Sequence, residues 1–250
     1  MSALFDNVAK SLTTTLTGTV PDVDSWKMVT CWFYWISGQS HNSANHPYML
    51  RDASTGSNML NYLDGSSLVH GVGAYPGASI DTSVTGAFSE DVWVFCAVVI
   101  PPDDGTGGTS TTYRDSNTAT NSLNGNNTAT QALDRLYIGN NDTGSTYARR
   151  KGYVAELAVW KSASAATLNS IAVECQTKLP SAVSAGSPIW YSRLFADATV
   201  TTGANLTNNG TVTFDSGIHP SLAGPGASAH AKLAGGGILT GLLVNGGLAS

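Results

Sequence analysis

Residues 133–151 read LDRLYIGNNDTGSTYARRK and residues 152–179 read GYVAELAVWKSASAATLNSIAVECQTKL, and this stretch decides the fold. Leu133–Asn140 has the length of a short strand and ends in a Gly-Asn turn. Gly152–Trp160 alternates between two faces that are both largely apolar. That alternation predicts a central strand covered on both sides.

The period of the apolar residues changes after this strand. Spacing of three or four residues, typical of one helix face, links Leu168, Ile171, Ala172, Cys175 and Leu179. Ser164 is well placed to be the N-cap of this helix, and Pro180 is placed to stop it. We therefore expect one short helix directly after the central strand.

This order of strand, polar loop, central strand and short helix resembles the closing part of laminin-G-like domains. Two motifs carry the resemblance, L-x-I-G at residues 136–139 and G-x-[VI]-x-E-[LV]-x-[VI]-[WY] at residues 152–160. Laminin-G-like domains have the concanavalin A-like lectin and glucanase fold. The resemblance covers about residues 26–220 and implies an all-β fold, a two-sheet antiparallel jelly-roll sandwich with one short helix and extended terminal arms.

Two long apolar runs are predicted to be strands. Trp26–Ile36 is rich in aromatic residues, which either stack on sugars or pack in the core, and packing in the core is much the commoner of the two. Glu90–Ile100 is apolar on both faces, as expected in the middle of a sheet. Laminin-G-like domains have an F-x-x-W run and a W-x-x-x-A-x-V strand at these two places. Trp93, Ala97 and Val99 match the second pattern.

Shorter runs between turn residues predict further antiparallel strands. They are Pro47–Arg51, Asn58–Leu63, Ser67–Val72, Ile189–Tyr191 and Leu206–Phe214. Asp64-Gly65 is a strong hairpin signal between the second and third of them. Such a meander is typical of antiparallel sheets.

The two ends of the chain differ from the body. Helical spacing predicts a short docked helix near the N-terminus, with Leu4, Phe5, Val8, Ala9 and Leu12 on one face. After Pro220 the sequence becomes rich in Gly, Ala and Leu. The predicted division is an N-terminal arm or helix at 1–12, a laminin-G-like jelly roll at 13–220, and a C-terminal arm at 221–250.

The charge pattern excludes some partners. Only 12% of the 250 residues are charged, and the net charge is −5. Arg149-Arg150-Lys151 is a small basic cluster that reads as a solvated loop, so we expect no nucleic-acid partner. Six glycines between Gly235 and Gly247 interrupt the apolar end of the chain, which makes a poor membrane helix. We expect no membrane partner either.

The cysteines and the N-terminus predict where the chain is made. Cys31, Cys96 and Cys175 are an odd number and lie in apolar runs, where a free thiol behaves as a small hydrophobic group. That favours a reducing compartment. The first ten residues lack the basic region and apolar core of a signal peptide. We expect synthesis in a cytoplasm without secretion by a signal peptide.

The sequence offers little for catalysis. A retaining glucanase needs two carboxylates about 5 Å apart, which this fold supplies as E-x-D-x-E. The chain has only Glu90, Glu156 and Glu174, none of them in such a motif, and its five histidines lack zinc spacing. No nucleophile elbow, phosphate loop or dinucleotide motif is present. We therefore expect no enzymatic activity and no resident cofactor, with calcium as the open exception.

Loop residues supply candidates for glycan and calcium binding. The glycan candidates are Tyr113, Asn140, Asn141, Asp142 and Tyr147, with the two tyrosines as stacking platforms. The calcium candidates, Asp115, Asn117 and Asp142, offer hard oxygen ligands but are also ordinary turn formers. Residues 113–116 read Tyr-Arg-Asp-Ser where laminin-G-like domains usually have Y-[VI]-D-G, which weakens any metal site implied by the resemblance.

Two functions of different classes remain. The first is a structural protein of a large assembly, most of all a bacteriophage virion decoration protein or capsid- or tail-associated protein, with itself and other virion proteins as partners. Its location would be the virion. The predicted assembly contacts in the tail are Leu233, Ile238, Leu239, Leu242, Leu243, Val244 and Leu248. The alternative is a carbohydrate-binding module that recognises a cell-surface glycan.

Overall fold

A computed structural model describes residues 2–5, 11–16, 25–37, 48–51, 58–64, 67–73, 79–84, 90–102, 108–123, 134–139, 152–194, 199–209, 212–215, 219–220 and 222. The predicted tail contacts between Leu233 and Leu248 lie outside these residues. In the part of the chain that the structure describes, no helix combines the length and hydrophobicity of a membrane span.

The described chain is mostly β-structure with one α-helix. The first ten strands are β1 (Ser2–Phe5), β2 (Ser11–Thr15), β3 (Trp26–Trp35), β4 (Tyr48–Arg51), β5 (Asn58–Asp64), β6 (Ser67–Gly73), β7 (Ser79–Val84), β8 (Trp93–Ile100), β9 (Gly108–Arg114) and β10 (Asn117–Leu123). After them come β11 (Arg135–Ile138), β12 (Gly152–Ser162), α1 (Ala165–Cys175), a short 3-10 turn (Pro180–Ala182), β13 (Trp190–Ser192), β14 (Thr207–Asn209) and β15 (Thr213–Asp215).

The strands form two antiparallel sheets. The larger sheet has the order β10-β9-β8-β3-β12-β1-β15, and β13 also pairs with β12. The smaller sheet has the order β14-β2-β11-β4-β5-β6-β7. Strands distant in sequence are neighbours in both sheets, so most of the pairing is non-local. The predicted two-sheet antiparallel sandwich with one short helix is confirmed.

The core between the two sheets follows from strict alternation along the central strands. On β3, the odd-numbered residues from Val29 to Trp35 face inward, opposite the even-numbered residues from Val94 to Ile100 on β8. The smaller sheet supplies Leu12, Tyr48, Leu50, Leu136 and Ile138 to the same core. Burial on this scale supplies the main stabilisation of the fold, because each fully buried large apolar side chain contributes about 1.5–3 kcal/mol.

A second core covers the outer face of the larger sheet, beneath α1. The helix buries Leu168, Ile171, Ala172 and Cys175. They pack on the outward residues of β3, β8 and β12, namely Met28, Trp32, Phe95, Ala97, Val99, Ala155, Ala158 and Trp160. The indole Nε1 of Trp160 donates to Thr30 Oγ1 at 3.0 Å, so the polar atom of this buried ring is satisfied. The three central strands are therefore apolar on both faces, as predicted for Gly152–Trp160 and Glu90–Ile100.

The predicted helix is confirmed, with two differences in detail. It ends at Cys175 rather than near Leu179. Ser164 occupies the N-cap position, but its side chain makes no capping hydrogen bond. The backbone carbonyl of Ser164 instead accepts a long bond of 3.4 Å from the Leu168 amide.

The predicted N-terminal helix is wrong for the residues that the structure describes. Ser2–Phe5 is a strand that pairs with β12 on one side and β15 on the other. Leu12 belongs to β2 and is fully buried in the inner core. A helix of two or three turns is marginal in water, whereas a strand here gains two hydrogen-bonded neighbours. The interval 6–10, with Val8 and Ala9, lies outside the described residues.

The run predicted as one strand at Leu206–Phe214 divides into two. Thr207–Asn209 pairs with β2 in the smaller sheet, and Thr213–Asp215 pairs with β1 in the larger sheet. The chain crosses from one sheet to the other between them. Asn208 stabilises this crossing, because its Oδ1 accepts from the Val212 amide at 2.9 Å.

All three cysteines are free and buried. Cys31 and Cys96 are direct register partners on β3 and β8. Burial raises the pKa of both thiols well above the usual value. Burial also raises the pKa of Cys175, on α1, to about 12. The thiols are therefore protonated core groups with low nucleophilicity.

Candidate functional site

Glu156 interrupts the regular backbone of the central strand β12. The register with β3 shifts between Ala155 and Ala158, so Glu156 and Leu157 together oppose one residue of β3. This is a β-bulge. The backbone of Glu156 has φ 50°, in the left-handed region, which costs a non-glycine residue about 1–3 kcal/mol. The bulge lets Leu157 join the inner core while Glu156 turns away from it.

The side chain of Glu156 is fully buried, yet its carboxylate is well supplied with donors. Oε2 accepts a short hydrogen bond from the Tyr191 hydroxyl. Oε1 accepts from Arg193 Nε at 3.0 Å and lies 3.2 Å from His219 Nε2. Burying an ionised carboxylate is costly unless such partners surround it. The side chain of Arg193 is 42% exposed, so it joins the buried charge to the surface.

The partners of Glu156 reach it from two later segments of the chain. Tyr191 is the middle residue of β13, and Arg193 directly follows this strand. The Arg193 carbonyl also accepts from the Glu156 amide at 3.1 Å. His219 lies in a short segment that crosses the outer face of the larger sheet, and Leu222 of this segment packs on the second core. Burial, and then the Glu156 carboxylate, raise the pKa of the Tyr191 phenol, so this hydroxyl remains a proton donor.

An aromatic cluster lies beside this carboxylate on the same outer face. Trp93 and Tyr34, register partners on β8 and β3, have ring centroids 5.7 Å apart in an edge-to-face arrangement. Tyr153 on β12 packs on the other side of Tyr34, at 5.8 Å. Tyr153 is buried, whereas Tyr34 and Trp93 are only partly buried. We call Tyr34 and Trp93 the aromatic pair.

A polar turn borders the aromatic pair. Asp91 is exposed, and its left-handed backbone lets it accept from the Ser37 amide at 3.0 Å through Oδ1. Burial, and then this carboxylate, raise the pKa of the Tyr34 phenol. Val92, next to the pair, is 44% exposed. The outer face here combines partly exposed rings, a carboxylate and a phenol hydroxyl.

The structure argues against Tyr113 as a stacking platform. Its ring is only 6% exposed, because it packs in the second core beneath α1. Its hydroxyl donates to Asn169 Oδ1 on the helix at 2.7 Å. No face of the ring is open to a sugar. The other glycan candidates, Asn140, Asn141, Asp142 and Tyr147, lie outside the described residues.

Asp115 has a structural role in the turn that joins β9 to β10. It adopts φ 49°, its amide donates to the Phe95 carbonyl at 2.9 Å, and its carboxylate accepts from the Phe95 amide at 3.1 Å. Asn117 is exposed at the start of β10, and Asp142 lies outside the described residues. Within the described ranges, no three His, Cys, Asp or Glu side chains form a group that could hold a metal ion. Calcium binding stays a prediction.

Sequence reasoning missed the Glu156 cluster and the aromatic pair. The sequence did contain a signal for Glu156, because it is the single charged residue of the apolar stretch Gly152–Trp160 and belongs to the motif there. Its partners could not be identified, because Tyr191 and Arg193 are 35 and 37 residues away. Tyr34 and Trp93 lie in runs that were correctly predicted as strands with buried cores, and both residues are only partly buried.

Comparison with solved structures identifies the architecture. A heptameric SAP-like pentraxin from Limulus polyphemus is 16% identical, with a TM-score of 0.50 over 64% of this chain and 75% of the pentraxin. A protein from Bacteroides ovatus to which carbohydrate binding is attributed is 15% identical, with a TM-score of 0.55 over 86% of this chain. The fold is a concanavalin A-like jelly roll.

Laminin G domains are also among the structural neighbours of this jelly roll. The LG4-5 domains of mouse laminin α1 align over 63% of this chain at 13% identity, with a TM-score of 0.47. The chain covers 40% of that laminin fragment and 60% of the Bacteroides protein. No protein-family model and no curated protein matches the sequence. The similarities to the pentraxin and the Bacteroides protein establish the fold, and function has to be argued from the site.

Proposed function

We propose that this jelly roll is a non-enzymatic carbohydrate-binding protein that holds a saccharide against the aromatic pair. The observation that carries the proposal is the partly exposed Tyr34 and Trp93, side by side on the outer face of the larger sheet. Aromatic rings present an apolar face together with a polar edge, which suits the apolar faces and hydroxyl rim of a pyranose. The nearby Asp91 carboxylate is an acceptor for sugar hydroxyls.

The shape of this region favours an oligosaccharide over a small isolated ligand. The two rings belong to neighbouring strands of a sheet surface, and an exposed turn borders them. Rings presented side by side on a sheet face suit an extended chain that contacts several residues at modest affinity each. Concave pockets, in contrast, are typical of tightly enclosed small ligands.

Binding without hydrolysis is supported by the surroundings of Glu156. Glycoside hydrolysis needs a second carboxyl group about 5–10 Å from the first. The hydrogen-bonding and ionic partners of Glu156 in the described part of the chain are a phenol, a guanidinium and an imidazole. Oε2 is engaged by the Tyr191 hydroxyl and Oε1 by the Arg193 guanidinium, so the carboxylate is a poor base for an attacking water.

A sandwich of the same fold in Bacteroides ovatus has carbohydrate binding attributed to it. That attribution belongs to the Bacteroides protein, of which this chain covers 60%. It shows that the proposal is compatible with the architecture. The particular saccharide is left to experiment.

The proposal is tested by screening the protein against a panel of glycans and then measuring affinity for the best saccharide by calorimetry. Trp93→Ala and Tyr34→Ala should each weaken binding about 10- to 100-fold, because each removes one stacking surface. Trp26→Ala is the matched control, since Trp26 is a partly buried ring at the opposite end of β3. Equal loss in all three variants, or no binding by the wild type, would contradict the proposal.

We propose a structural role in a large assembly as a second candidate function. The assembly would be a bacteriophage virion, and the protein, made in a host cytoplasm, would be located in that virion. The Gly- and Leu-rich sequence at residues 221–250 favours it, because such a segment offers apolar side chains for a neighbouring subunit. The Limulus pentraxin of similar fold is heptameric, so the architecture is compatible with self-assembly. Both roles could belong to one protein that binds glycan from within an assembly. Sedimentation of the purified chain distinguishes an oligomer from a monomer.

A further inference from the structure

Glu156 is the one residue with left-handed backbone among the described residues of the central strand β12. Asp91 and Asp115 share this conformation, but they occupy turns, where Asp tolerates it. A strained residue inside a sheet persists only where its surroundings enforce it, and such strain is concentrated at functional sites. The question is what the displaced carboxylate does.

The bulge brings the Glu156 carboxylate to the outer face of the sheet, within ion-pairing distance of His219. His219 Nε2 lies 3.2 Å from Oε1, and the imidazole is only 12% exposed. His219 Nδ1 lies 3.0 Å from the carbonyl of Pro220. The ring is thus fixed between the buried carboxylate and its own backbone segment.

His219 in turn contacts the aromatic pair. Its ring centroid lies 6.4 Å from that of Trp93, with the planes tilted by 52°. Trp93 packs against Tyr34, which packs against Tyr153. A continuous series of contacts therefore runs from Glu156 through His219 to the partly exposed indole.

We infer that Glu156 is a positioning residue for the aromatic pair and that it acts through His219. The inference deepens the proposed function and rests on it, insofar as the pair binds saccharide. The carboxylate does not touch the ligand. It orients His219, which limits the orientations open to Trp93, so less rotamer freedom is lost when a saccharide stacks on the indole. A binding surface requires such supporting contacts to keep its geometry.

Three side chains of the described residues meet the Glu156 carboxylate. Tyr191 donates to Oε2, whereas Arg193 and His219 both lie at Oε1. A change at Glu156 therefore affects all three partners. Glu156→Gln keeps the shape of the side chain but removes its charge, and it changes one acceptor oxygen into a donor that faces Tyr191, Arg193 or His219.

The experiment compares Glu156→Gln and His219→Ala in the full chain by two readouts. The first is the indole ¹H–¹⁵N resonance of Trp93, assigned with Trp93→Phe, in the absence of ligand. The second is the affinity for the saccharide found in the glycan panel. Glu174→Gln is the matched control, because Glu174, on α1, is also an ion-paired glutamate but pairs with Lys178 instead of His219.

Both site variants should shift or broaden the Trp93 resonance and weaken saccharide binding three- to tenfold. The variant that combines Glu156→Gln with His219→Ala should bind saccharide no more weakly than either single variant, because Glu156 acts through His219. Glu174→Gln should change neither readout. Should Glu156→Gln fail to fold, His219→Ala carries the same expectation, since it leaves the carboxylate paired with Tyr191 and Arg193.

An unchanged Trp93 resonance in a folded site variant would overturn the inference. A shifted resonance together with normal saccharide affinity would also overturn it, since the pair would then bind equally well without this support. If the wild type binds no saccharide, the proposed function fails. The resonance still decides separately whether Glu156 positions Trp93.

Discussion

Glu174 closes the C-terminal end of α1 and is the most strongly perturbed surface carboxylate of the described chain. Its Oε2 accepts from Lys178 Nζ at 2.7 Å and from the Ser184 amide at 3.0 Å, and Oε1 accepts from the Ser184 hydroxyl at 2.8 Å. These bonds, that from Lys178 foremost, lower the pKa of Glu174 from 4.5 to about 2. The helix end is thereby tied to the segment that follows the 3-10 turn.

The pKa of Glu174 leads to a prediction of pH-dependent stability. Because the folded-state pKa is below the unfolded one, the stabilisation is fully present above pH 4.5 and is lost as the pH falls to about 2. Glu174→Gln should lose on the order of 1 kcal/mol of unfolding free energy at pH 7, since solvent screens the partly exposed pair. The difference from wild type should disappear near pH 2. Urea unfolding at several pH values measures the difference in unfolding free energy between the two proteins. A difference that is independent of pH would contradict this account.

Tyr113 provides a second residue-scale prediction. Tyr113→Phe removes the hydroxyl that donates to Asn169 but keeps the buried ring. The unfolding free energy should fall by about 1 kcal/mol, the usual contribution of one hydrogen bond. Saccharide affinity should not change, because the ring is covered by α1. A large loss of affinity with unchanged stability would instead restore Tyr113 as a binding residue.

Single residues show where sequence reasoning works and where it ends. Burial was predictable from the aromatic content of the run Trp26–Ile36, so Trp32, Phe33 and Trp35 were correctly assigned to the interior. Exposure of individual members such as Tyr34 depends on what lies above the sheet, and local alternation contains no such information. The left-handed bulge at Glu156 was not predictable either, because nothing in its neighbours requires it.

Strand β1 is formed through pairing with distant segments of the chain. Its four residues lie between β12 and β15, so its backbone supplies hydrogen bonds to both. Side-chain spacing in so short a segment suits a helix equally well. Pairing with residues about 150 and 210 positions later decides the outcome, as the registers Ala3↔Val154 and Ala3↔Phe214 show. Tertiary pairing overrides local propensity here.

Deletion of residues 1–5 tests the importance of β1. The deletion removes the partner of β15 and one of the neighbours of β12, and unpaired buried backbone groups are costly. We expect the melting temperature to fall by about 10 °C or more. Thermal unfolding followed by circular dichroism measures it. A melting temperature within a few degrees of wild type would show that β1 is dispensable.

At the scale of the whole molecule, the fold was predicted more completely than the site. Strands β3, β8 and β12 and the hairpin between β5 and β6 were predictable from local periodicity or turn chemistry. Their arrangement as a two-sheet sandwich was what the resemblance of the motif at residues 152–160 to laminin-G-like domains implied. The site depends on side chains from β3, β8, β12 and the segment at residues 219–222. Its geometry follows from the packing of these elements and is not written in any one of them.

The tail allows a whole-molecule prediction drawn from its sequence. Deletion of residues 224–250 should leave the melting temperature of the body almost unchanged and should abolish assembly or particle attachment. The apolar side chains gain about 1.5–3 kcal/mol each on burial, whereas ordering a Gly-rich backbone costs about 1–2 kcal/mol per residue, so docking requires a receiving groove. Calorimetry and sedimentation test both parts. Unfolding of the truncated chain would mean that the tail belongs to the core.

The central claim is that the aromatic pair is a saccharide-binding surface. Its most direct test is the titration of the ¹⁵N-labelled protein with the saccharide selected from the glycan panel, with the six indole resonances followed by NMR. The account predicts a saturable shift of the Trp93 indole, with the Trp26 indole unmoved. Saturable shifts confined to other tryptophans, or no shift of Trp93 with any saccharide of the panel, would contradict it.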